Sequence, residues 1–269
     1  MIDFPPAKIN LGLRVIRRRP DGYHDLLTVF YPIPLYDVLE ILPAREFKFQ
    51  SYGIPIPGRS EANLVVKAWQ KLHELKGIPA VEIHLLKNIP MGAGLGGGSS
   101  DAAFTLRMLN TMFELNLSDH ELKTLALQIG SDCPFFIDPC PSAASGRGEE
   151  LQKADFSLRG KFLALVKPNI HISTREAYLN IQPTLHPHPL EILRKPRHTW
   201  QEELVNDFES WAIQTWPELG QIKETLHAAG AFYASMTGSG SVFYGLFEQE
   251  PTLPDDLRKY FCRVMMLTF

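Results

Sequence analysis

Residues Ile89 to Asp101 read Ile-Pro-Met-Gly-Ala-Gly-Leu-Gly-Gly-Gly-Ser-Ser-Asp. Five of the seven residues from Gly92 to Gly98 are glycine, and Ser99 and Ser100 follow at once. Without Cβ atoms in the way, backbone N–H groups can turn inward and approach a ligand closely. From Ser99 the chain changes to Ala-Ala-Phe-Thr-Leu-Arg-Met-Leu-Asn after the serines and Asp101, a run of good helix formers. The pattern predicts a glycine loop that opens a helix. Such a junction aims several unpaired amide donors and the positive end of the helix dipole, roughly half a charge, at one point. Anions bind there, and phosphate is the expected one. The plain alternative is a linker or a turn without a ligand, which sits poorly between a strand and a well-formed helix.

Three phosphate motifs compete for this stretch. A Walker loop needs Lys then Ser or Thr after its last glycine. Gly98 is followed by Ser99 and the loop holds no lysine, so that motif is excluded. The dinucleotide pattern G-x-G-x-x-G fits Gly92, Gly94 and Gly97, but it should follow a strand directly and meet an acid about 20 residues later on a second strand. Here Asn88, Ile89 and Pro90 intervene, and Glu114 and Asp119 fall in a helix tail and the next turn. The third pattern is a resemblance. Pro90, Met91, Gly92, Ala93, Gly94, Leu95, Gly96, Gly97, Gly98, Ser99 and Ser100 are similar to the phosphate loop of the GHMP kinases, small-molecule kinases named after galactose, homoserine, mevalonate and phosphomevalonate. The additional glycines and Asp101 resemble one branch, whose acceptor is a cytidine diphosphate alcohol of non-mevalonate isoprenoid synthesis.

Bulk composition sets the bounds. The chain has 269 residues, enough for one large domain or two modest ones. Hydrophobic content of 45% with 21% charged residues is ordinary for a soluble protein. A net charge of −3 gives no electrostatic footprint for nucleic acid. No apolar run approaches the roughly 20 residues of a membrane span, and Met-Ile-Asp-Phe-Pro-Pro lacks the features of a secretory signal. A cytoplasmic location without an evident protein partner is the expectation. Cys133, Cys140 and Cys262 form no metal-ligand set and read as buried structural thiols. Arg17, Arg18 and Arg19 beside a turn read as a solvated hairpin tip, with contact to an anionic substrate as the alternative.

Periodicity predicts the elements. Ile9, Leu11, Leu13 and Val15 alternate with Lys8, Asn10, Gly12 and Arg14 as one strand, and Pro20-Asp21-Gly22 turns it into a second, roughly 23–33. A strand is expected near 37–42, a helix capped by Ser60 and stopped at Gly77, and a strand over 81–86 leading into the loop. Ser118 and Asp119 start a helix that stops at Gly130. The second half begins a strand at 162–166. A Pro- and His-rich surface excursion follows at 183–198. Helices are expected at 200–215 and 218–229, two strands within 232–247, a helix near 255–261 and a last strand. Apolar periodicity lapses at 149–157, which places a domain boundary between residues 1–152 and 153–269. Elements alternate without regular βαβ spacing, so the fold class is α+β. The resemblance implies the two-domain GHMP kinase fold, an N-terminal ribosomal-S5-like domain and a C-terminal ferredoxin-like domain, with the active site in a cleft between them.

Transfer of a γ-phosphoryl group to an alcohol needs charge neutralisation, an in-line hydroxyl and an acceptor for its proton. Ser99 or Ser100 could add a hydroxyl to phosphate or ligate Mg²⁺, or cap the helix. Asp101 could orient a Mg²⁺-bound water, but reads first as a first-turn acid complementing the dipole. Taken alone, Asp132 in G-S-D-C-P-F-F is a turn acid, Lys8 in P-A-K-I-N-L an exposed strand lysine, and Asn63 in E-A-N-L a helix-start residue. The resemblance implies more: Asp132 as the general base, Lys8 as the cation that keeps it ionised, and Asn63 near the adenine of ATP. Asn10 shares the strand face of Lys8. Tyr23 and His24 in P-D-G-Y-H resemble the branch's cytidine-binding segment, and Thr174 and Tyr178 its threonine and aromatic, the latter stacking on the cytosine from the other side. The segments 236–243 and 206–209 resemble a cleft-lining glycine turn and an architectural motif. Together these imply an ATP- and Mg²⁺-dependent kinase acting on the 2-hydroxyl of that alcohol. Another GHMP kinase, of homoserine or mevalonate type, and a nucleotide-binding scaffold without catalysis are the alternatives.

Overall fold

The computed structural model describes residues 1–269. The chain forms two compact units that interleave along the sequence. One holds residues 1–7, 35–91 and 96–139, the other residues 8–34, 92–95 and 140–269. Both units mix helix and sheet, as the α+β expectation requires.

In the first unit the strands run in the order Ile2–Asp3, Val38–Pro43, Val81–Lys87, Lys48–Gly53. Only the last pair is parallel. Leu39 and Ile41 on one strand, and Val81, Ile83 and Leu85 on the next, alternate into the core. The helices Leu64–Lys76 and Gly97–Met112 pack together. Asn63, not Ser60, caps the first of them: its Oδ1 accepts the Val65 N–H at 2.9 Å. Ser60 instead opens a short 3₁₀ turn, Ser60–Ala62. Gly77 ends the helix in the left-handed conformation, as expected. Ser118 and Glu121 form a reciprocal capping box at Asp119–Leu127.

The second unit carries two four-stranded sheets. One has the order Pro6–Arg18, His24–Tyr36, Ser142–Ser145, Glu150–Lys153, its first two strands extending into the other unit at Pro6, Ala7, Leu35 and Tyr36. Lys8, Asn10 and Gly12 are as buried as Ile9 and Leu11, so this strand is covered on both faces and not on one as its alternation suggested. Arg17 and Arg19 pair with Asp25, and Arg19 also with Asp21, at the hairpin end. The other sheet, Tyr233–Met236, Phe243–Phe247, Phe162–Lys167, Phe261–Met266, is antiparallel throughout. Its core joins Ala164, Val166 and Phe243 to Phe208 and Ala212 of the helix Asp207–Thr215 and to Leu219, Ile222 and Leu226 of Pro217–Ala228.

The helix expected over 200–215 breaks at Leu204–Asn206, and each residue of Asn206-Asp207-Phe208-Glu209 has an architectural task. The Asn206 side chain accepts the Phe208 N–H as a cap and donates to the carbonyls of Met236 at 2.7 Å and Gly238 at 2.9 Å. Asp207 accepts from the Val15 N–H and from Arg14. Phe208 meets Tyr178 edge-on, and Glu209 accepts from Ser235 and from the Met236 N–H. Four adjacent side chains thus anchor a strand and a glycine turn. The helix expected near 255–261 is only a 3₁₀ turn, Asp255–Leu257, because residues from Phe261 on pair with Phe162–Lys167. The Pro- and His-rich stretch contains a short helix, Pro189–Leu193, capped by His188.

Candidate active site

The outgoing end of the glycine loop lies in the first unit. Gly96, left-handed with φ 71°, is the N-cap of the helix Gly97–Met112, two residues before the expected start. The first intrahelical bond runs from the Ser100 N–H to the Gly96 carbonyl, leaving the amides ahead of it as the donors of a helix start. Ser99 and Ser100 therefore sit inside the first turn and cap nothing. Ser99 is half-buried, whereas Ser100 is fully buried and its hydroxyl has no partner. Gly98 is exposed, and a Cβ there would meet only Leu64 Cδ1 at 3.8 Å. Neither a positive φ nor a close neighbour requires glycine at 98.

Asp132 begins the 3₁₀ turn Cys133–Ile137, which packs on the start of Gly97–Met112. Burial pushes the Cys133 thiol up to about 12, with the Asp132 charge adding to it, so this is an inert structural cysteine. Asp101 is not the exposed first-turn acid expected. It is buried and accepts from Lys87 at 2.8 Å. Burial pushes its carboxyl up to about 8, the Lys87 ammonium opposing the shift.

The other half of the loop, Gly92 to Leu95, belongs to the second unit, where Lys8 organises it. The Lys8 ammonium is buried, 5.1 Å above the Phe30 ring, and donates to Asn10 Oδ1 at 2.6 Å and to the Gly94 carbonyl at 2.8 Å. Thr237 completes the knot: its hydroxyl accepts the Asn10 N–H at 3.0 Å and lies 3.1 Å from the Gly94 carbonyl. Asn10 also donates to Thr28 at 3.0 Å. Gly94, with φ 76°, lies so close to Thr237 that any Cβ would collide with its carbonyl oxygen. Gly238 approaches in the same way, its would-be Cβ 2.9 Å from Gly94 Cα. The two glycine turns of the sequence pack backbone on backbone.

Farther along the same unit, Thr174 Oγ1 lies 3.0 Å from Ser239 Oγ, and Tyr178, one turn later on Thr174–Leu179, stacks on His24 with centroids 4.7 Å apart. Burial, then the charge of Arg18, lowers the His24 imidazole, so it is neutral at pH 7 and keeps one donor and one acceptor. Tyr23 is exposed, with the Arg147 guanidinium 4.7 Å from its ring centroid. The structure thus joins His24 to Tyr178 directly. No group of three His, Cys, Asp or Glu side chains is placed to hold a metal ion. Ser99 is the reachable hydroxyl of the pair considered for Mg²⁺, a fit for an ion carried mainly on phosphates. No helix is long and apolar enough to cross a membrane.

A glycine loop that opens a helix in one unit, and in the other a second glycine turn with a buried lysine beside it, are the features of a small-molecule kinase of the GHMP class. Residues 63–139 match the family described as GHMP kinases N terminal domain, and residues 191–265 match GHMP kinases C terminal. A mevalonate kinase structure from Methanococcus jannaschii shares the fold at a TM-score of 0.69 and 15% identity, with 100% of this chain and 98% of that one covered. Two relatives are closer in sequence. A Bacteroides thetaiotaomicron protein is 49% identical over 95% of each chain, and one from Azobacteroides pseudotrichonymphae is 51% identical over 93% of this chain and 94% of its own. Both are named 4-diphosphocytidyl-2-C-methyl-D-erythritol kinase. A crystal structure of 4-(cytidine 5'-diphospho)-2C-methyl-D-erythritol kinase matches with a TM-score of 0.83 and 33% identity over all of both chains. The chain belongs to the 4-diphosphocytidyl-2-C-methyl-D-erythritol kinase family of GHMP kinases.

Proposed function

We propose that the chain transfers the γ-phosphoryl group of ATP to the 2-hydroxyl of 4-diphosphocytidyl-2-C-methyl-D-erythritol, with Asp132 taking the hydroxyl proton and Lys8 assisting. The observation that carries this reading is the buried Lys8 ammonium, fixed by Asn10 and the Gly94 carbonyl at the glycine loop. A cation held there favours the ionised form of a carboxylate base and stabilises the negative charge that builds on the attacking oxygen. As that oxygen bonds to phosphorus, its proton passes to Asp132 and ADP leaves. Amide donors of residues 92–98 and the hydroxyl of Ser99 serve the polyphosphate in this reading, with Ser100 buried behind them and Pro90, Met91 and Asn63 on the nucleoside side. Mg²⁺ would supply further neutralisation of the phosphate charge.

The cytidine end is given to Tyr23, His24, Thr174 and Tyr178, with Asn10 nearer the reacting alcohol. The neutral His24 ring can both donate to and accept from a base edge, and Tyr178 already lies parallel to it. The names of the relatives at 49% and 51% identity support this acceptor. As a division of the sequence, residues 1–152 carry most of the ATP and substrate contacts and residues 153–269 supply the remainder.

ATP consumption measured with three acceptors in turn tests the reading. Turnover is expected with 4-diphosphocytidyl-2-C-methyl-D-erythritol and background with homoserine and mevalonate. ATP use with either of the latter, and none with the cytidylated alcohol, would overturn it.

A further inference from the structure

Lys87 continues the inward alternation of Val81, Ile83 and Leu85, so its side chain enters the core where an apolar residue would pack. It is 2% exposed, and its ammonium pairs with two buried carboxylates, Asp37 and Asp101. These partners hold opposite ends of the glycine loop. Asp37 Oδ1 accepts the N–H of Asn88 at 2.6 Å and of Ile89 at 2.9 Å, where the chain leaves the strand. Asp101 stands just past the first turn of the helix that the loop opens. Between them Gly97 lies directly on the incoming end: a Cβ there would be 2.9 Å from Ile89 Cγ2 and 3.2 Å from Lys87 Nζ.

A buried cluster of three ionisable groups is a poor device for stability alone, since well-packed apolar side chains of the same volume usually do as well or better. Asp101 Oδ1 is even left without a hydrogen-bond partner. What the cluster does provide is a rigid tie. Residues 88–89 and residues 97–101 are fastened to one ammonium, so the free amides at the helix start keep a fixed direction. We infer that Lys87 is a positioning residue for the nucleotide, holding the loop's two ends together through Asp37 and Asp101 so that its amide donors converge. The inference rests on the proposed reading that this loop takes the phosphates of ATP.

The test compares Asp101→Leu with Asp101→Asn, both as purified full-length enzyme, by KM for ATP, KM for the alcohol, kcat and thermal melting. Both remove the ionisable carboxyl, but only Asn keeps an acceptor for Lys87. Asp101→Leu is expected to raise KM for ATP at least tenfold, Asp101→Asn at least threefold less than Leu, with kcat and the alcohol KM within threefold of wild type. The paired variant Lys87→Met with Asp101→Leu removes the bridge and the ammonium together, and leaves the Asp37 carboxylate its two backbone donors. It must raise KM for ATP as Asp101→Leu does, which keeps the test decisive if the single Leu variant fails to fold. A folded Leu or paired variant with wild-type KM for ATP, or equal values for Asn and Leu, overturns the inference. If the wild type itself does not consume ATP, the functional reading fails instead.

Discussion

Lys8→Met should lower kcat by at least ~100-fold, the lower end of general-base effects, while KM for ATP stays within a few-fold. Methionine keeps a side chain of similar length and deletes the ammonium, its charge and its donors together. The fold should tolerate this, because the Thr237 hydroxyl remains within reach of the Gly94 carbonyl and Asn10 Oδ1, the two acceptors that Lys8 serves. Asp132→Asn should act on the same step with a loss of the same order. Steady-state kinetics with saturating ATP check both. Near-normal kcat in either variant removes that residue from the proton transfer. A loss confined to KM for ATP would make Lys8 a nucleotide contact instead.

Gly94→Ala should destabilise the protein by at least about 3 kcal/mol, and Gly22→Ala by only about 1 kcal/mol. Both glycines have positive φ, 76° and 86°. The difference is what surrounds them: nothing lies within 4 Å of a Cβ at 22, whereas one at 94 meets the Thr237 backbone. The pair of variants therefore separates backbone conformation from close approach. Chemical denaturation gives both free energies, and equal losses would show that the packing of one glycine turn on the other contributes little. Gly94→Ala also shifts the carbonyl that holds Lys8, so activity should fall in whatever fraction remains folded.

The elements most legible in the sequence were those whose local chemistry is complete in itself. The glycine loop opening a helix, the box at Ser118 and Glu121 and the stop at Gly77 each need only neighbours in sequence. The fold class and family were legible from the separated motifs. Errors arose where distant partners decide. Asp101 looked like a surface acid because Lys87, fourteen residues earlier, is the partner that draws it inside. That lysine could have been suspected, since it continues a period-2 pattern of inward residues. Lys8 looked exposed because one strand face was assumed to be solvated, and the glycines at 94 and 238 looked like a ligand cradle when part of their purpose is to touch each other. The break at Leu204–Asn206 is set by what Asn206 holds some 30 residues on, at Met236 and Gly238.

The central claim is that main-chain amides at the start of Gly97–Met112 grip the polyphosphate of ATP, and Gly98→Ala tests it with least disturbance to the fold. Position 98 is exposed and open to a Cβ, and alanine is the better helix former by about 1 kcal/mol, so the melting temperature should hold or rise. The measurement is equilibrium binding of ATP to this variant beside the wild type. Affinity at least tenfold weaker in an equally stable protein is the predicted result. Unchanged affinity would mean that nothing approaches the helix start at Gly98, and the phosphates would have to be held elsewhere.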